Sequence, residues 1–170
     1  LKIRGFEKIS FEQYLKDMKK LLGESIDEAE INRIYNDISL PKRATKKSAG
    51  YDFFSPMNFS LLPNKEIKIP TGIKSYLQDN EELTLHVRSS TGFKFIVNLL
   101  NAVGHIDSDY YNNEDNEGHI WLGFKNYGDK EWKVSEGDAF AQGIFINFLI
   151  ADDDTPVLDI RKGGIGSTNK

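Results

Sequence analysis

Two carboxylates flanking a serine, with an aromatic ring next in line, can bind a sugar hydroxyl, orient a water and stack on a ring. The chain carries this combination at Asp107-Ser108-Asp109-Tyr110. An apolar run from Phe95 to Leu100 leads into it through Asn101 and Gly104, and a second tyrosine, Tyr111, follows. That order predicts a strand that enters a turn and returns, a hairpin with polar groups at its mouth. Taken alone, the stretch reads by default as a polar turn. Four further clusters hold similar groups: Ser48-Ala49-Gly50-Tyr51-Asp52, Arg88-Ser89-Ser90-Thr91-Gly92, Gly137-Asp138-Ala139-Phe140-Ala141-Gln142 and Gly163-Gly164-Ile165-Gly166-Ser167-Thr168. Singly each is weak. Arg88 to Gly92 reads as a solvated turn, and the glycine-rich end lacks the Lys-Ser/Thr ending and following helix of a P-loop.

The elements that must position these groups change character near Leu40. Before it, Leu1 to Lys8 predicts a short strand. Ser10-Phe11-Glu12-Gln13 fits a capping box, with Phe11, Leu15, Met18 and Leu22 on one helical face and Gly23 as the stop. A second box, Ser25-Ile26-Asp27-Glu28, starts another short helix carrying Ile31 and Ile34. Residues 1–37 thus read as a helical extension. From Leu40 onward Pro41, Pro56, Pro63 and Pro70 punctuate short runs. Leu83, Leu85 and Val87 alternate with polar neighbours, as do Ile67 and Ile69, and Ala141 to Ile150 predicts a strand buried on both sides. The expected fold is mainly β, a sandwich or barrel over residues 38–160, followed by a flexible tail at 161–170.

Composition narrows the function classes. A chain of 170 residues is one ordinary domain, and no apolar run approaches the ~18 residues of a membrane span. No signal-peptide pattern is present, so the expectation is a cytoplasmic protein away from membranes. The absence of cysteine excludes disulfides, thiolate metal sites and cysteine nucleophiles. A net charge of -4 argues against nucleic-acid binding, which needs a basic face. A small anionic ligand fits if a few cations converge and a divalent ion helps. His86, His105 and His119 lack zinc-site spacing, and Asn113 to Gly118 has no Glu where a calcium loop would need one.

In their order and spacing the five clusters resemble the motifs of the trimeric dUTPase family, over about Ile38 to Thr168. The resemblance implies a jelly-roll-like fold, hydrolysis of dUTP to dUMP and pyrophosphate by water attack on the α-phosphorus, and a homotrimer whose sites borrow motifs from several subunits. Asp107 matches the aspartate that orients the water, Tyr110 the tyrosine under the deoxyribose, and Asn101 with Gly104 the groups that read uracil. Arg88, Ser89, Ser90 and Gln142 match phosphate-handling positions. Asp52 matches the aspartate that holds Mg2+ through water, with no direct ligand. Arg161, Ile165, Gly166 and Ser167 match a tail that folds over the nucleotide.

Three departures stand out. Ser90 replaces a glycine of the second motif, Ala139 an arginine of the fourth, and Ile165 the stacking phenylalanine of the fifth. Two other readings remain at this level. A dCTP deaminase of the same fold would need a glutamate where Gly123 stands. A regulatory module would bind a protein partner through residues 1–37.

Overall fold

A computed structural model describes residues 1–155 and 161–164. The N-terminal segment supplies β1 (Gly5–Lys8), α1 (Phe11–Leu22) and α2 (Glu28–Asp37). Short strands follow: β2 (Lys42–Arg43), β3 (Tyr51–Phe54), β4 (Phe59–Leu61), β5 (Glu66–Pro70), β6 (Ile73–Tyr76) and β7 (Glu81–His86). A two-turn α3 (Ser89–Phe95) precedes β8 (Val97–Leu99) and β9 (Gly104–Asp107). A 3-10 turn spans Ser108–Tyr110, and β10 (Trp121–Asn126), β11 (Trp132–Val134) and β12 (Ala139–Asn147) complete the described elements.

The strands form antiparallel sheets around one core. The larger sheet runs β2-β3-β12-β7-β9, and the facing one β5-β10-β8, with β11-β4 and β1-β6 as two-stranded ribbons. Alternation accounts for the pairing faces. β10 buries Leu122, Phe124 and Asn126 and turns Trp121, Gly123 and Lys125 outward, while β7 sends Leu83 and Leu85 inward as its spacing predicted. Asn126 is fully buried yet satisfied, donating to the carbonyls of Leu61 and Lys130 and accepting Gly128 N–H.

The helices share this core. Tyr14, Met18, Ile31, Ile34 and Ile38 belong to the same buried cluster as Phe53, Ile69 and Phe124. Burying Met18 and Ile31 is worth roughly 1.5–3 kcal/mol each, against ~1 kcal/mol for a helix cap. Packing therefore holds the helices more than their caps do. Ser10 does cap α1, accepting Gln13 N–H, but the return bond comes from Glu117, which takes Ser10 N–H and pairs with its hydroxyl. The Gln13 amide instead reaches Asp17.

Four local expectations are corrected. Val97–Leu99 and Gly104–Asp107 form no hairpin, because β8 pairs with β10 while β9 pairs with β7. The turn at Asn101 carries the chain from one sheet to the other. The second helix is capped by Asp27, through Ala29 N–H, rather than by Ser25. Ser89 and Ser90 open a helix rather than a turn. Finally, β12 is buried only in its first half: Phe140 and Ala141 are covered, whereas Leu149 is 97% exposed beyond the strand's end.

Candidate active site

Asn101, Gly104, Asp107 and Tyr110 converge on one cleft of about 150 Å3, whose walls also include Leu85, Ile120, Trp121 and Arg161. A larger concavity of about 320 Å3 beside α2 contains none of the sequence-predicted site residues. β9 sets the geometry of the smaller cleft. Its pairing with β7 places Gly104 opposite Leu85 and Asp107 opposite Glu82. A Cβ on residue 104 would sit 2.9 Å from that of Leu85, so only glycine lets the two strands close here while leaving the cleft open.

Asp107 ends β9 in extended conformation and projects into the cleft with its side chain 49% exposed. Tyr110 lies one 3-10 turn later and is buried. Its hydroxyl donates to the His119 carbonyl at 2.8 Å and accepts from Asn116 Nδ2 at 2.9 Å. Burial pushes its phenol pKa up, against the hydrogen bond from Asn116, so it remains a donor. The loop beneath it is tied by Asn113, whose Oδ1 accepts two backbone N–H groups and whose Nδ2 donates to the Tyr110 carbonyl. Gly118, at φ +83°, lets that loop pass the Tyr110 carbonyl, which a Cβ would meet at 2.7 Å.

Arg161 spans the cleft mouth. Its guanidinium lies 2.7 Å from Asp107 Oδ2 and 3.3 Å from Asp109 Oδ1, and it faces the Tyr110 ring at 5.9 Å. Ile165, Gly166 and Ser167 lie outside the described residues.

The remaining predicted residues gather elsewhere. Asp52 pairs with Arg88, Nε to Oδ1 at 3.1 Å, and Arg88 also donates to the Ala139 carbonyl at 3.2 Å. Gln142 lies opposite Asp52 in the β3–β12 register and donates to the Val87 carbonyl. Ser89 and Ser90 are exposed at the start of α3, beside this group. Arg88 follows the C-terminal end of β7, whereas Asp107 is paired near its N-terminal end. Six residues of strand separate them, roughly 20 Å at about 3.3 Å per residue. One chain thus presents two separate groups, a cleft and a charged patch.

Sequence reasoning missed what lies behind the cleft. His119 is fully buried and donates to Asp17 of α1, and Trp121 forms part of the cleft wall. The readable signal was Asp17 itself, an acid at helical spacing between the buried Tyr14 and Met18. His86 contacts Thr84 and His105 contacts Glu82. Among the described residues no group of three or more His, Cys, Asp or Glu could hold a metal ion directly, and no helix is long and apolar enough to cross a membrane.

The similarities to known proteins agree with this arrangement. A dUTPase family model matches residues 36–169. The deoxyuridine 5'-triphosphate nucleotidohydrolase of Lactococcus lactis is 45% identical over 132 residues, 77% of this chain and 88% of its own length. The protein of the same name from Haemophilus influenzae is 32% identical over 160 residues, 90% and 99% of the two chains. Among solved structures, the dUTPase from Streptococcus mutans superposes with a TM-score of 0.66 at 37% identity, over 87% of this chain and 98% of that one. A variant dUTPase from phage phi11 of S. aureus, at 20% identity and a TM-score of 0.58 over 71% and 90% of the chains, shares the fold; its structure concerns coordination of a structural Mg(II) ion.

Proposed function

The chain belongs to the dUTPase family, and on that premise we propose how its residues divide the hydrolysis of dUTP to dUMP and pyrophosphate. The observation that carries the reading is the convergence of Asn101, Gly104, Asp107 and Tyr110 on one cleft. The Asn101 amide offers a donor and an acceptor to a pyrimidine edge beside Gly104. Tyr110, held from behind by the His119 carbonyl, presents its ring to the deoxyribose, where a 2′-hydroxyl would collide. Asp107 orients a water for attack on the α-phosphorus and draws its proton. Arg161 exchanges Asp107 and Asp109 for phosphate oxygens as substrate enters, and Ile165, Gly166 and Ser167 complete that cover.

Arg88, Ser89, Ser90 and Gln142 receive the phosphates. Arg88 donates to the Ala139 carbonyl, so it brings a cation close to the position where the fourth-motif arginine is missing. Asp52 suits Mg2+ held through water, because an ion that keeps its waters and takes phosphate oxygens needs a single protein carboxylate rather than a cage. When bound, such an ion neutralises charge on the triphosphate. Within one copy, however, the charged patch is a strand's length from Asp107. A homotrimer that sets the patch of one copy against the cleft of the next resolves the separation. Residues 1–37 act as a helical extension of the β domain at 38–160, with 161–170 as the tail.

The deaminase reading loses its base: Gly123 lies in β10, and a Cβ there would meet Leu100 Cδ1 at 2.8 Å. Pyrophosphate release measured with Mg2+ across dUTP, UTP and the four common deoxynucleoside triphosphates tests the proposal. It expects dUTP to be turned over far faster than the rest. Equal rates with UTP would remove the role of Tyr110, and ammonia release from dCTP would restore the deaminase.

A further inference from the structure

Behind Tyr110 runs a buried polar line that none of the five clusters contains. Asp17 is 1% exposed and His119 0%. His119 Nδ1 lies 2.6 Å from Asp17 Oδ2, and its Nε2 accepts Gly72 N–H at 2.8 Å. The second bond leaves the ring proton on Nδ1, so a neutral imidazole donates to a carboxylate. Asp17 is held in turn by Gln13 Nε2 at 2.9 Å and by Lys20 Nζ at 3.2 Å. The main chain of His119 then bears on the cleft twice. Its carbonyl accepts the Tyr110 hydroxyl, and the next two residues, Ile120 and Trp121, are cleft wall. A carboxylate on α1 is therefore joined through one residue to the ring that faces the sugar.

Stability alone does not account for such a pair. Apolar side chains of similar volume would fix α1 to the β domain at least as well and without desolvating a charge. What a fully bonded carboxylate–imidazole pair adds is orientation, since both ring nitrogens and both carboxylate oxygens have partners. We propose that Asp17 and His119 are positioning residues for Tyr110, through which the N-terminal helix sets discrimination between deoxyribose and ribose triphosphates. The inference rests on Tyr110 lying under the sugar.

Steady-state kinetics on dUTP and UTP test it in four variants. Asp17→Leu keeps the branched shape, in a bulkier apolar form, but leaves His119 Nδ1–H without an acceptor. It should lower the dUTP-over-UTP ratio of kcat/KM by roughly tenfold, mostly through KM for dUTP, since small displacements of a positioning surface carry effects of that size or more. Asp17→Asn, whose amide oxygen can still accept from His119, should restore the ratio. Tyr110→Phe cuts the line at its other end and should reproduce the loss; it decides the matter if Asp17→Leu does not fold. A folded Asp17→Leu with a lower Tm and an unchanged ratio would overturn the proposal and leave the pair a structural fastening. Tyr110→Ala separates the two levels. If it leaves the ratio unchanged, the reading of Tyr110 fails and the proposal with it; if it collapses the ratio while Asp17→Leu and Tyr110→Phe do not, only the present inference fails.

Discussion

Asp107 and Arg161 form an ion pair that the proposed reaction would have to break. Without substrate the carboxylate pairs with the guanidinium at 2.7 Å, which holds it aimed into the cleft. Asp107→Asn should bind dUTP with little change yet lose at least about 10²-fold in kcat, because an amide accepts a hydrogen bond but draws no proton; isothermal titration beside turnover measurements separates the two. His119 carries a pH dependence. Burial pushes its pKa below the ordinary 6.5, against the hydrogen bond and charge of Asp17 and the charge of Glu117, with Lys20 adding to the depression. The Asp17 carboxyl also lies below its ordinary 3.8: burial would raise it, but the bonds from His119 and Gln13, the charge of His119 and the bond from Lys20 outweigh that. With both folded-state values depressed, the unfolded chain binds more protons in acid. The stability they contribute is whole above 6.5 and is lost as pH falls from there through the folded-state values. Tm should therefore fall from pH 7 to pH 5, and part of that slope should be absent in His119→Gln.

At the scale of elements, local pattern told the strands apart but not their partners. Leu83 and Leu85 announced β7 because alternation is local. Nothing in Val97–Leu99 or Gly104–Asp107 says that one joins β10 and the other β7, since register is set across the core rather than along the chain. The face of α1 was half legible for a similar reason. Met18 lies on the predicted apolar stripe, but Leu22 of that stripe is exposed, and the buried face includes Tyr14, Gln13 and Asp17, whose polarity hides them from a hydrophobic count. Tyr14 also holds a buried hydroxyl with no hydrogen-bond partner among the described residues. Tyr14→Phe should leave the fold intact and raise stability by up to ~1 kcal/mol, as a lone buried hydroxyl is a net cost; urea titration would show it. The tail is the other element whose role can be read. Deleting residues 161–170 removes Arg161 from the cleft, where a charge-assisted hydrogen bond is worth ~1.5 kcal/mol or more, so kcat/KM should fall at least about tenfold with the circular-dichroism spectrum unchanged.

Across the whole molecule, the motifs were legible as a set while their distribution was not. Asp107 and Arg88 are near in sequence, and only the path of β7 reveals that they belong to opposite ends of a strand. The proposed homotrimer should run in light scattering at three times the mass of the chain, with no active monomer. In that proposed trimer β7 would hand its two ends to different sites, making each copy half of one catalyst and half of another. Asp107→Asn spoils only the cleft that a copy lends, and Arg88→Ala only the patch. Each variant alone builds no intact site. Refolded together, they should regain part of the parental rate, because an Asp107→Asn patch beside an Arg88→Ala cleft is a whole site. A host bearing both defective alleles would then be healthier than one bearing either alone, the behaviour geneticists know as complementation within a single gene.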